Sequence, residues 1–147
     1  MRHQTKKHTL GKAQDQRKAL LRSLATELFV HGEIKTTMAR AKALRPYAEK
    51  IITLAKKGGL SSIRQAAKYI YNKETGEVMT YIKKTGEYVD AKSATKEDLR
   101  QVPQTVLRKL FVVIGKKYSD KQGGYTRIYR LPPRRGDASD MALIQLV

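Results

Sequence analysis

Residues 33–56 read EIKTTMARAKALRPYAEKIITLAK. Glu33-Ile34-Lys35-Thr36-Thr37 is short and β-branched, which predicts a strand. A threonine at its end fits the N-cap of the next helix, read over 38–56. Ala41, Leu44, Ala48, Ile51, Ile52 and Ala55 recur at helical spacing and form one apolar stripe. Lys42, Arg45, Glu49 and Lys56 fall on the opposite side. Arg45 and Glu49 are four apart, a spacing at which opposite charges add about 0.2–0.5 kcal/mol to a helix. The basic residues of that side are open to two readings, a solvated face or a phosphate contact. Pro46 lies inside the pattern and is expected to kink or break the helix.

Upstream, Leu21, Leu24, Ala25 and Leu28 predict a helix over 16–31, with Asp15 as N-cap and Gly32 just past its end. Downstream, Gly58-Gly59 closes the second helix. Ser61 or Ser62 is expected to cap a third, ending near residue 71, with Ile63, Ala66, Ala67 and Ile70 inward. Val106, Leu110, Val113 and Ile114 predict a helix over 105–117, with Pro103 at its start. Gly123-Gly124 introduces an alternating strand over 125–131. A loop over 132–140 follows, and an apolar strand over 141–147 is expected to pair antiparallel with its predecessor. The fold class is α+β, a two-layer α/β domain in the order α-β-α-α-α-β-β. Residues 1–14 read as a basic extended arm, and 15–147 as one globular domain.

Residues 72–102 interrupt that order. They hold six basic and six acidic residues, whereas the rest of the chain carries the whole net charge of +18. Glu74-Thr75-Gly76-Glu77 is echoed by Lys84-Thr85-Gly86-Glu87, and each Thr-Gly reads as a turn with glycine at positive φ. The turns separate strands predicted over 69–72, 78–82 and 88–90. Thr95 and Asp98 then match a capping box. An inserted β-hairpin or meander is expected here. Its neutrality argues that it faces solvent or another protein rather than phosphates.

The chain has 31 Lys and Arg against 13 Asp and Glu. A compact protein with this charge repels itself, and nucleic-acid phosphates are the usual partner that neutralises it. Residues 2–22 concentrate the signal, with seven basic residues, two histidines and one acid. Lys12, Arg17, Lys18 and Arg22 crowd the start of the first helix, where the helix dipole favours anions. An external phosphate at that end makes sense of them. There is no cysteine, which excludes disulfides, thiolate metal sites and a thiol nucleophile. No apolar run approaches the roughly 20 residues of a membrane span, and a secretory signal is not expected.

No catalytic constellation stands out, and no cofactor, metal or small-molecule substrate is expected. His3 and His8 lie in the arm and suit phosphate or base contact, while His31 suits a helix C-terminus. Asp137 and Asp140 read as turn chemistry. The cations form three groups: Arg2, Lys6, Lys7, Lys12, Arg17, Lys18 and Arg22; then Arg40, Lys42 and Arg45; then Arg127, Arg130, Arg134 and Arg135. Tyr125 and Tyr129 interleave with the last group. Tyr125 is open to base stacking or packing, and sheet packing is the expectation for Tyr129. Three separate surfaces suit a protein wedged between several RNA segments.

Several motifs resemble one family. They are Met1-Arg2-His3, Arg17-Lys18-Ala19-Leu20-Leu21-Arg22, Ile34-Lys35-Thr36-Thr37, Ala39-Arg40-Ala41-Lys42, Arg45-Pro46 and Glu49-Lys50-Ile51-Ile52-Thr53-Leu54-Ala55-Lys56. Near the C-terminus they are Gly123-Gly124-Tyr125-Thr126-Arg127-Ile128 and Arg135-Gly136-Asp137-Ala138. In register and in order, over about 1–71 and 104–147, they look like the bacterial large-subunit ribosomal protein family that is seventeenth by the usual count. The resemblance implies a structural protein bound to large-subunit ribosomal RNA in the cytoplasm, near the nascent-chain exit region and beside other large-subunit proteins. An organellar ribosome stays open. It also brings Lys35, Thr36, Thr37, Gly123, Gly124 and Thr126 into the expected RNA-binding set. Residues 72–102 depart from the family pattern. Two other classes stand beside this one, a free nucleic-acid chaperone and a small RNA-processing enzyme. The second lacks an acid–base cluster.

Overall fold

In the computed structural model, which describes residues 8–82, 87–90 and 99–147, the apolar stripe of 38–56 forms the centre of the core. The first helix, α1 (Gln14–His31), leads through β1 (Glu33–Thr37) into α2 (Met38–Lys57). Ala41, Leu44, Ala48, Ile51 and Ile52 of α2 are fully buried. Ala25, Leu28 and Phe29 of α1 pack on them, and Val106, Leu110, Ala142 and Ile144 join from the later elements. Burying each Leu or Ile is worth about 1.5–3 kcal/mol.

Local signals explain most of the boundaries, and several expectations need correction. Gly32 ends α1 at φ 81, the left-handed region that glycine adopts without strain. Asp15 is not the cap: α1 starts at Gln14 with Ala13 at the cap position, and Asp15 sits in the first turn. There its charge still suits the helix dipole. Pro46 does not break α2, which runs through it unbroken. It lies on the exposed side, where water can serve the carbonyl that loses its partner. The third helix, α3 (Gly59–Ala67), begins at Gly59 rather than after a serine cap, and Ile63 is exposed rather than inward.

The C-terminal strands β5 (Thr126–Leu131) and β6 (Met141–Leu146) pair antiparallel as expected. The strand β1 adds to the free side of β6, giving the order β1-β6-β5. Ile34, Ile144 and Ile128 stand in one row across that sheet. Their side of the sheet faces the helices.

A second antiparallel sheet lies between α3 and the last helix. Its strands are β2 (Glu74–Ile82), β3 (Glu87–Asp90) and β4 (Leu99–Thr105), in the order β3-β2-β4. Glu74-Thr75-Gly76-Glu77 is not a turn. It is part of β2, with Gly76 at φ 81 and a register shift between Glu74 and Val78. Such a bulge uses the same glycine freedom that a turn would. Residues 69–72 form no strand, and β4, unforeseen, contains Pro103. As an edge strand β4 tolerates the missing N–H. The second Thr-Gly turn at Thr85-Gly86 and the capping box at Thr95 and Asp98 lie outside the described residues. The principal core draws no described residue from 71–105.

The last helix, α4, spans 106–117. Thr105 caps it, its hydroxyl accepting from Arg108 N–H at 3.5 Å. Lys109–Ile114 winds as a π-helix between α-helical ends. Gly115 lies against α2 so closely that a β-carbon there would stand 3.0 Å from the Ala55 carbonyl oxygen. In an open helix, Gly→Ala stabilises by up to about 1 kcal/mol. Gly115→Ala is expected to do the reverse and cost about 1–3 kcal/mol by overpacking. Thermal denaturation would read this as a Tm several degrees lower. A raised Tm would mean that α2 and α4 do not meet at this point.

Candidate nucleic-acid interface

The start of α2 is where the basic groups meet. Thr37 holds the cap position, but its side chain makes no capping bond. The loop over 132–140 closes on the helix instead, with Met38 N–H donating to the Asp140 carbonyl at 2.9 Å. No acid stands in the first turn of α2. Lys42 lines one hollow with His8, Thr37 and Ser139, and a second with Arg130 and Met141. One carboxylate, Asp140, borders both. Thus the arm, α2 and β5 each send a basic or imidazole group to one end of the protein. Arg40 and Arg45 continue the exposed face of α2. Arg45 Nε lies 3.7 Å from Glu49 Oε1, the i, i+4 pair expected from spacing.

Alternation along β5 places the third group. Arg127 and Tyr129 share the outer face of the sheet, while Arg130 turns toward α2. The register sets Lys35 and Tyr129 on either side of Leu143. Tyr129 is 43% exposed. Tyr125 is buried, its ring centroid 5.3 Å from that of Tyr118 and its hydroxyl 3.3 Å from Lys56 Nζ. The expectation of sheet packing for Tyr129 is therefore corrected: Tyr125 packs, and Tyr129 faces out. Gly123 and Gly124, at φ 81 and 61, make the turn that sends Tyr125 inward. Thr36 and Thr126 are also buried. Thr126 donates to Glu49 Oε1 at 2.9 Å, tying β5 to α2.

Arg134 and Asp137 form a clamp within the loop. Arg134 Nε and Nη2 donate to the two Asp137 oxygens at 3.0 and 2.6 Å, the bidentate geometry that suits guanidinium and carboxylate. Ser139 Oγ donates to Asp137 at 2.7 Å, and Arg134 N–H donates to the Ser139 carbonyl at 3.0 Å. Arg135 stays exposed beside this clamp. Of the arm, His8 and Lys12 are exposed, while Arg2, His3, Lys6 and Lys7 lie outside the described residues. Lys18 is exposed and Arg17 half-buried. Arg22 turns into the protein, donating to the Ile70 carbonyl at 3.1 Å with its guanidinium 4.2 Å from the Tyr71 ring centroid. Sequence reasoning missed Lys68 and the tyrosines around it. Residues 69–72, which read as a strand, instead follow an irregular path that brings Tyr69 and Tyr71 to Lys68.

The described residues contain no group of three His, Asp or Glu poised to hold a metal. No described helix is long and apolar enough to cross a membrane. Fold and surface define a small, strongly basic α+β protein. The family whose model is described as ribosomal protein L17 matches residues 20–147. The large ribosomal subunit protein bL17 of Staphylococcus haemolyticus is 46% identical over 138 residues, covering 94% of this chain and 95% of that protein. Those of Listeria innocua and Lactiplantibacillus plantarum are 46% and 44% identical, over 139 and 138 residues. Each covers 94% of this chain, and 96% and 95% of its own length. The chain belongs to the ribosomal protein L17 family. It has a structural role in the ribosome and is not an enzyme.

The clamp has a pH signature. Arg134 first, and then Ser139, hold the Asp137 carboxyl well below the usual carboxylate range. A depressed folded pKa means that the clamp's contribution is complete above the unfolded value near 3.9, shrinks as pH falls below it, and is gone below the lower folded value. An NMR titration of the Asp137 carboxyl carbon is expected to show a midpoint well below 3.9, about the ordinary aspartate value. Arg134→Ala is expected to move that midpoint back up. An ordinary midpoint in the parent protein would remove the clamp.

Proposed function

We propose that this chain is a structural constituent of the large ribosomal subunit that binds and stabilises folded large-subunit ribosomal RNA. The observation that carries this is the convergence of His8, Lys42 and Arg130 at one end of α2, in a chain of net charge +18. Backbone N–H groups at a helix start and basic side chains around it suit phosphate oxygens. The basic arm supplies Arg2, His3, Lys6, Lys7 and Lys12, and the outer face of β5 supplies Arg127 beside Tyr129. Its place is the ribosome in the cytoplasm, beside other large-subunit proteins near the exit tunnel. The named relatives, large-subunit proteins of bacteria, support this assignment.

The neutral segment 72–102 has a different role in this proposal. Its second sheet stands apart from the principal core, and Lys109 Nζ to Glu77 at 3.3 Å is one of the polar ties that hold it. It faces solvent or a neighbouring protein, not phosphates. Joining Glu77 to Pro103 through a short glycine turn is expected to leave RNA affinity within about threefold while the remaining domain stays folded. A collapse of RNA affinity in a folded variant would contradict that role.

Each lost phosphate contact should flatten the slope of log affinity against log salt by about 0.7–0.9. Filter binding to ribosomal RNA fragments is expected to show this for Lys6, Lys7 and Lys12 changed together to Ala, with Tm unchanged. Lys42→Ala and Arg130→Ala together are expected to do the same. Unchanged slopes would exclude the arm and the α2 end from the interface. In sucrose gradients the protein is expected to co-migrate with the large subunit through a high-salt wash. Release at moderate salt would favour a free RNA chaperone.

A further inference from the structure

A groove between α1, α2 and the turn after α3 is lined by Tyr47, Tyr69, Tyr71, Lys18, Arg22 and Lys68. Three rings and three cations meet there against one carboxylate, Asp15. The groove has a volume of about 540 Å³, within the roughly 300–1,000 Å³ of small-ligand clefts. Its walls are fixed from within. Tyr47 and Tyr69 meet edge to face with centroids 5.6 Å apart, and Tyr47 Oη donates to the Tyr69 carbonyl at 2.9 Å. Burial pushes the Tyr47 phenol up to about 12, so it remains a donor to that carbonyl at neutral pH. Lys50 Nζ sits 5.1 Å from the Tyr69 ring centroid and donates to its hydroxyl at 3.4 Å. Arg22 stacks on Tyr71, and its buried Nε has no hydrogen-bond partner among the described residues. Tyr71 is nevertheless 43% exposed, and Lys18 and Lys68 are exposed at the rim.

We propose that this groove holds one unpaired nucleotide of RNA, its base against the tyrosine rings and its phosphate between Lys18 and Lys68. The proposal rests on the RNA-binding function and narrows it to a single-stranded subsite. Duplex RNA has no exposed base faces to offer, whereas an unpaired base stacks on aromatic rings whatever its identity. A free anion would use the cations and leave the rings idle. An acidic protein segment would match the charge, but its carboxylates are repelled by the negative face of a tyrosine ring. The nucleotide uses both.

The test uses the full chain with a twelve-residue oligouridine carrying one central 4-thiouridine, and a control RNA duplex. Irradiation is expected to link the thiouridine to the peptide holding Tyr69 and Tyr71. Tyr71→Leu is expected to weaken oligouridine binding about tenfold. Tyr71→Phe, which keeps the ring, is expected to leave it unchanged. Lys68→Gln lies at an exposed position and carries the test should Tyr71→Leu unfold. It is expected to flatten the oligouridine salt slope by about 0.7. All three variants should bind the duplex as the parent does. Cross-links elsewhere, with oligouridine affinity unchanged in Tyr71→Leu and Lys68→Gln, would overturn the groove while duplex binding upheld the general function. Failure of the parent to bind either RNA would overturn both. A folded Tyr71→Leu chain that keeps its oligouridine affinity but loses retention on the large subunit would assign the groove to a neighbouring protein.

Discussion

Burial of one face of α2 is the constraint on which the rest of the structure depends. Four of its seven buried residues are alanines, Ala41, Ala43, Ala48 and Ala55. Small side chains let neighbours come close, and Gly115 of α4 takes this furthest by resting against the Ala55 carbonyl. α1, α4 and the inner face of the β1-β6-β5 sheet all contribute to the same core. With one face of α2 enclosed, the helical period leaves Arg40, Lys42 and Arg45 outside. The cationic surface is thus placed by the core and not by any contact of its own. The hairpin β5–β6 brings Arg130 to the same end because its inner face must also reach α2.

The few carboxylates explain how so basic a chain stays ordered. Thirteen acids cannot pair with 31 bases, and exposed pairs contribute only about 0–1 kcal/mol each. In the structure they pin elements to one another. Glu27 takes Lys73 Nζ on one oxygen at 3.1 Å and His31 Nε2 on the other at 3.2 Å, joining the end of α1 to the start of the second sheet. Glu49 joins α2 to β5 through Thr126, and Asp137 closes the loop that caps α2. These three acids, Glu27, Glu49 and Asp137, thus fasten segments distant in the chain or close a loop. Among the described residues, most of the other cations are exposed.

Legibility followed the range of the interactions. The strand Glu33–Thr37 and the stripe on α2 were read to the residue or nearly so, because both rest on local pattern. The pairing of β1 with β6 was not, since nothing near Ile34 announces Ile144 as its partner. Gly76 shows the limit at short range: its positive φ was legible, but whether a turn or a bulge uses it depends on the register with β4. Pro103 reads as a helix start on local grounds and becomes an edge-strand residue once β2 lies beside it. Tyr125 and Tyr129 fall on one face of the alternating pattern over 125–131, but β5 begins only at Thr126. Tyr125 belongs to the turn before it, where Gly123 and Gly124 send its ring against Tyr118. Of the candidate site, the residue types were legible from composition, and their convergence at the start of α2 was not.

The groove depends on a hydroxyl that sequence patterns pass over. Thr26 lies in α1 among apolar residues and is buried. Its Oγ1 donates to the Arg22 carbonyl one turn earlier at 2.8 Å and accepts from Tyr71 N–H at 3.0 Å. A buried hydroxyl satisfied in both roles costs little, whereas an unpaired backbone N–H there would cost about 1–3 kcal/mol. The consequence is positional. By fastening Tyr71 to the turn of α1 that carries Arg22, Thr26 sets the ring under the guanidinium and holds residues 68–71 in an irregular path. A strand over 69–72 would have spent those backbone groups on a neighbour and carried Tyr69 and Tyr71 away from Tyr47. The same departure from regular structure that defeats the local prediction therefore assembles the three rings.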